Sequence, residues 1–180
     1  TREVGITWIC CADALHDWLF IPGFSAGFGS RKEMYVDRLG DMDSIFEKIL
    51  FMLYALPDWM TPKGFRRSDH DGVMKILNPT NGASITGESG DEIGRGGRKG
   101  IFFVDEAARI EHPESVDRSL AKTTNVRIYV STPNGPGNPF AQKALGGVWP
   151  LFLFSWEQDP RKDDEWYAYQ RDVEYAGDPV

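Results

Sequence analysis

Apolar and polar positions alternate along this chain with two different periods. Trp8 to Phe20 is rich in Trp, Leu, Ile and Cys on most faces, which predicts a largely buried helix that Pro22-Gly23 ends. Phe24 to Gly29 reads as a short strand of small residues, with Ser30-Arg31-Lys32-Glu33 opening the next helix. Ile45, Ile49, Leu53 and Leu56 share one helical face; Ser44 and Glu47 have capping-box spacing at its start and Pro57 closes it. Val73 to Asn78 and Ala83 to Thr86 predict two strands, and the Asn81-Gly82 pair between them favours a tight hairpin turn. The glycine-rich stretch from Gly87 to Gly100 predicts a mobile loop. Ile101-Phe102-Phe103-Val104 is a continuous apolar run, as in a central strand buried on both faces. Val126 to Val130 predicts a second such strand, and Trp149 to Phe154 a third that Pro150 weakens at its start. Asp163 to Tyr175 predicts a final helix. Strands and helices in alternation predict an α/β layered domain.

Composition narrows the class. The 180 residues suffice for one domain with a sizeable core, and 41 % apolar with 13 % aromatic residues is a globular composition. The net charge of −7 argues against a nucleic-acid footprint over the whole surface, while leaving room for local patches at Arg66-Arg67 and at Arg95, Arg98 and Lys99. Cys10 and Cys11 are sequence neighbours, which makes an ordinary disulfide between them geometrically implausible and suits a reducing compartment. His16, His70 and His112 are scattered and no Cys/His cluster has zinc spacing. Asp13, His16 and Asp17 interrupt the first apolar run, which is too short for a bilayer, so no membrane partner is expected. Thr1 is not an initiator Met, and Ala176 to Val180 follow a helix-ending signal. The chain is therefore expected to be a single domain over 1–180, cut at both ends.

Three segments could carry chemistry. Asp105-Glu106 follow the buried apolar run, at the strand end where open α/β sheets bind ligands. ATP hydrolysis needs one carboxylate for hydrated Mg²⁺ and another to orient the attacking water, which is the Walker B pattern. A solvated strand end with two acids explains the pair equally well. Thr1-Arg2-Glu3-Val4-Gly5-Ile6-Thr7 precedes the first helix. A glycine for the turn, a helix N-terminus for the anion and the Thr7 hydroxyl for Mg²⁺ would make a phosphate loop. Ile6 stands where lysine is usual, however, and alone Thr7 reads as an N-cap residue. Val126 to Val130 ends in Ser131-Thr132-Pro133, either a γ-phosphate sensor or a plain strand-to-turn transition. The order of the three is more informative than any one. Phosphate loop and helix, strand with Asp-Glu, then strand with Ser-Thr is the order of a RecA-like P-loop ATPase.

These residues resemble a known family. Arg2-Glu3-Val4-Gly5-Ile6-Thr7-Trp8 is similar to the deviant phosphate loop of phage terminase large subunits, the DNA-packaging motors. Gly27 to Glu33 with Val36-Asp37-Arg38, and Gly40-Asp41 through Ser44-Ile45-Phe46, resemble their next motif. Phe103 to Ala108 looks like their Walker B segment, and Val130 to Gly135 like their coupling motif. The resemblance spans nearly the whole chain. It implies a P-loop NTPase (RecA-like/ASCE) three-layer domain with a mainly parallel central sheet and a β-hairpin insertion. It implies ATP and Mg²⁺ as cofactors, with Arg2, Gly5, Ile6 and Thr7 at the phosphates, Thr7 and Asp105 at the metal, and Glu106 as the catalytic carboxylate. Ser131 and Thr132 would link hydrolysis to domain movement. Arg95, ten residues before Asp105, matches an arginine finger acting on a neighbouring subunit's ATP, with Arg98 as the rival and DNA contact as the other reading. Family members often carry the loop lysine just before the position of Thr1. The implied partners are double-stranded DNA, a portal protein, a small terminase subunit and further copies in a ring. The implied location is the host cytoplasm, transiently at the procapsid portal. The family's nuclease domain is not expected in this chain. A helicase-type ATPase, or a nucleotide-binding or structural module without turnover, are the alternatives.

Overall fold

The computed structural model describes residues 4–174. Helix α1 (Ile6–Phe20) leads into β1 (Ser25–Ser30), then into the single-turn α2 (Glu33–Val36) and α3 (Ile45–Ala55). A turn of helix, α4 (Arg67–His70), precedes the short strands β2 (Asp71–Gly72) and β3 (Lys75–Leu77), followed by β4 (Ser84–Ser89). Strand β5 (Ile101–Val104), α5 (Pro113–Thr123), β6 (Val126–Tyr129), α6 (Pro139–Leu145) and α7 (Asp164–Tyr169) complete the order. The sheet runs β2-β3-β4-β1-β5-β6. Strands β4, β1, β5 and β6 pair in parallel, whereas β2-β3 and β3-β4 are antiparallel. A mainly parallel sheet carrying a hairpin is the architecture that the sequence motifs imply.

Alternation along β5 sorts the core into two layers. Phe103 joins Phe28, Ile85 and the buried faces of α1 and α3 on one side of the sheet, its ring stacked on that of Phe28 at 4.7 Å. Phe102 and Val104 face the other side, against Ile93 and the Val116 and Leu120 stripe of α5. The small residues of β1 follow from this second layer. A Cβ on Gly27 would lie 2.3 Å from the Phe102 ring, and one on Gly29 would meet Ile93 at 2.9 Å. The Phe102 ring of the neighbouring strand and the Ile93 side chain of the crossover fill the space that β1 leaves.

Four expectations need correction. The stretch Gly87 to Gly100 is not a loose loop. Strand β4 extends through Ser89, Ile93 is fully buried, the Glu88 carboxylate accepts the Gly94 and Gly96 amides, and the Thr123 hydroxyl donates to the Gly94 carbonyl at 2.6 Å. Trp149 to Phe154 forms no strand: Pro150 lacks an amide donor, and Leu151, Phe152 and Leu153 are exposed. Strand β6 is not buried on both faces, because it is the last strand of the described sheet and Val126 is half exposed. The capping box of α3 is half made. Ser44 accepts the Glu47 amide at 3.4 Å, but the Glu47 carboxylate pairs with Arg67 instead of turning back. Helices α5 and α6 went unanticipated, although each begins with a proline in its first turn, after His112 and Asn138. The final helix changes to a wider π-type turn over Gln170–Glu174, and Tyr175 lies outside the described residues.

Candidate active site

The N-terminus of α1 opens on the C-terminal edge of the parallel strands. Gly5 precedes it with φ of +76°, a left-handed conformation that a side chain would strain, and among the described residues no side chain caps the helix. Its first amides are therefore free to meet an anion, with the helix dipole behind them. Ile6 turns inward and packs against the α1–α3 core. Thr7, one residue on, places its hydroxyl 3.3 Å from both Asp105 oxygens. Asp105 continues the β5 ladder, donating its amide to the Gly29 carbonyl at 2.8 Å. Burial pushes the Asp105 carboxyl above the usual carboxylate range and the Glu106 charge adds to this, while the Glu106 amide and the Thr7 hydroxyl oppose it.

Glu106 stands with φ of +51°, one of two non-glycine residues with positive φ among those described. Such a conformation is costly for a residue with a Cβ and concentrates at functional sites. It turns the Glu106 side chain to Arg31, whose Nε donates to Oε2 at 2.6 Å. Arg31 is fixed in turn by Tyr35, which accepts from Nη2 at 3.0 Å and lies beneath the guanidinium at 4.8 Å. Arg31 falls within the Gly27 to Glu33 segment of the family resemblance, which implied no role for it. Its signal was position, directly after the strand that neighbours β5.

Ser131, past the end of β6, accepts the Ala108 amide at 3.1 Å and so ties this strand end to the turn after Glu106. Thr132 follows it, half exposed. Arg95 is not gathered here. It lies on the β4–β5 crossover, which packs on the α5 face of the sheet, opposite Thr7; it is exposed and pairs with Glu92 at 3.2 Å. Arg98 is exposed on the same crossover. Arg2 lies outside the described residues.

A hydroxyl and a carboxylate converging beside uncapped amides fit a hard cation shared with phosphate oxygens. Among the described residues, no three His, Cys, Asp or Glu gather as a metal cage. A cation at Thr7 and Asp105 would thus rely on waters and phosphates for the rest of its shell, as Mg²⁺ commonly does.

No protein-family model and no curated protein matches this chain. Solved structures do. The large terminase ATPase domain of Thermus phage P74-26 superposes with a TM-score of 0.67 at 19 % identity, over 96 % of this chain and 80 % of that one. A point variant of the same domain gives 0.66 at 18 % identity over the same shares. The large terminase of a thermophilic bacteriophage, solved in complex with ADP, gives 0.60 at 16 % identity, over 95 % of this chain and 42 % of that one. At such identities the likeness is one of fold, and the fold of this chain is that of a phage large-terminase ATPase domain.

Proposed function

We propose that this chain is the ATP-hydrolysing motor domain of a phage DNA-packaging terminase large subunit, driving double-stranded DNA into a procapsid. The observation that carries the reading is the meeting of the Thr7 hydroxyl with the Asp105 carboxylate at the uncapped start of α1, with Glu106 next in sequence. In this reading Gly5 and the α1 amides receive the phosphates, together with Arg2, and Ile6 contributes only its backbone. Thr7 and Asp105 hold Mg²⁺. Bound there, Mg²⁺ would neutralise charge developing on the β- and γ-phosphate oxygens. Glu106 orients the attacking water and accepts its proton, and Arg31 holds the Glu106 carboxylate in place until then. Ser131 and Thr132 transmit the state of the site to the strand end, since the Ser131–Ala108 bond spans both segments.

Arg95 would serve a neighbouring copy in a ring. Its place on the far face of the sheet, exposed, supports action between subunits over action on its own nucleotide. Portal protein and small terminase subunit are the further partners of this reading, and the host cytoplasm its location. A nucleotide-binding module without turnover is the second reading, favoured by Ile6 at the usual lysine position. The test is Glu106→Gln in the full protein. ATP turnover should be abolished with nucleotide affinity kept; undiminished turnover would remove Glu106 from the mechanism, and no turnover in the unaltered protein would favour the second reading.

A further inference from the structure

Ser30 ends β1 with its side chain fully buried, and its hydroxyl has no hydrogen-bond partner among the described residues. Buried polar groups are nearly always partnered, so an orphan calls for a reason. Two other side-chain atoms share this state, Nε1 of Trp18 and Nε of Arg127. Neither lies at the end of the parallel strands where Thr7 meets Asp105.

Ser30 does. The β1–β5 register pairs Phe28 with Phe103 and Gly29 with Val104, so the next step sets Ser30 beside Asp105. Strand alternation puts Ser30 on the face of Phe28, and Asp105 on the face of Phe103. Those two rings stack in the α1–α3 layer, the face from which Thr7 reaches Asp105. The two side chains thus stand side by side, one strand spacing of about 4.8 Å apart.

Asp105 has acceptor sites to spare where Ser30 lacks an acceptor, its described donors being the Glu106 amide and the Thr7 hydroxyl. A carboxylate offers about four lone-pair sites, and a hydroxyl carries one proton. The two 3.3 Å contacts from Thr7 are therefore one shared donor. A carboxylate that ligates a metal is normally held by a further hydrogen bond, which fixes its orientation.

We propose that Ser30 is a positioning residue for the metal site, its hydroxyl donating to the Asp105 carboxylate when that carboxylate binds a divalent cation with nucleotide. The proposal rests on the ATPase reading above. The unpartnered hydroxyl is a cost the protein carries without ligand and recovers with it.

The test compares the full protein with Ser30→Ala and Thr7→Val, using a methylanthraniloyl-labelled ATP and graded Mg²⁺. Ser30→Ala should need about tenfold more Mg²⁺ for half-maximal tightening of nucleotide binding, with binding in EDTA unchanged. Its thermal midpoint without Mg²⁺ should equal or exceed that of the unaltered protein, because an orphaned polar atom has been removed. An unchanged Mg²⁺ requirement overturns the proposal, as does a midpoint lowered equally with and without Mg²⁺, which would mark a packing role. If Mg²⁺ tightens nucleotide binding in the unaltered protein and not in Thr7→Val, the ATPase reading stands whatever Ser30 does. If Mg²⁺ has no effect on the unaltered protein, both fall.

Discussion

The Arg31 guanidinium holds the Glu106 carboxylate at 2.6 Å, reaching it from the end of the adjacent strand across 75 positions of sequence. A charge-assisted bond this short fixes the direction of the carboxylate. Glu106 also occupies a left-handed backbone conformation, so its aim is set from both ends. Arg31→Ala should lower kcat for ATP by about tenfold to a hundredfold, since a misplacement near 1 Å costs on that order. Nucleotide affinity should change little, because Arg31 contacts the carboxylate and Tyr35. Arg31→Lys should not restore the rate, as an ammonium lacks the planar fork that engages both partners. Steady-state turnover beside nucleotide titration checks this; a loss confined to affinity would place Arg31 on the phosphates instead.

Much of this site was legible in the sequence, and its limits have physical causes. The apolar run at 101–104 reads as a strand buried on both faces, and that reading places Asp105 and Glu106 at its end. Arg31 was not legible as Glu106's partner because register between β1 and β5 is a tertiary fact, carried by Phe102 over Gly27 and Phe103 on Phe28. Glycine content misled at 87–100. There it serves close approach to α5 and amide contacts to Glu88, properties that composition shares with a loose loop. Trp149 to Phe154 has strand-like residues, yet lacks a paired edge among the described residues.

Glu88 gives the crossover a pH signature. Burial pushes its carboxyl above the ordinary value, against the opposing pull of the Gly94 and Gly96 amides and the Lys99 charge. Because the folded chain then binds the proton more tightly than the unfolded one, this group's stabilising contribution is full below the ordinary carboxylate range. It is lost as pH rises through the raised value. The stability difference between the unaltered protein and Glu88→Gln should therefore shift against the unaltered protein as pH climbs from the ordinary carboxylate range. Urea melts at several pH values measure it, and a difference independent of pH would refute the assignment.

Cys10 and Cys11 sit on the buried side of α1. Burial pushes the Cys10 thiol up to about 11, with the nearby Asp105 charge adding to the effect. At pH 8 only about one thiol in a thousand would be ionised, and the thiolate is the nucleophile. Iodoacetamide at pH 8 should leave both cysteines unmodified in the folded protein and label both in denaturant, read by intact mass. Rapid labelling without denaturant would mean that α1 separates from the core on the timescale of the reaction.

The fit between β1 and β5 can be tested at Gly27. A methyl there would stand 2.3 Å and 2.4 Å from two carbons of the Phe102 ring, which is itself fully buried against α5. Neither strand can yield without disturbing the ladder that places Ser30 and Arg31 beside Asp105 and Glu106. Gly27→Ala should cost about 1–3 kcal/mol of stability, the range for overpacking a dense core. Phe102→Leu alone should also destabilise, by leaving space over Gly27 and Gly29. Combined, the two should cost less than their sum by at least about 0.5 kcal/mol, because the smaller side chain makes room for the added methyl. A double-mutant cycle from denaturant melts decides it. Strict additivity would mean that the ring and the glycine do not set the register of these strands, and the placement of both carboxylates would need another cause.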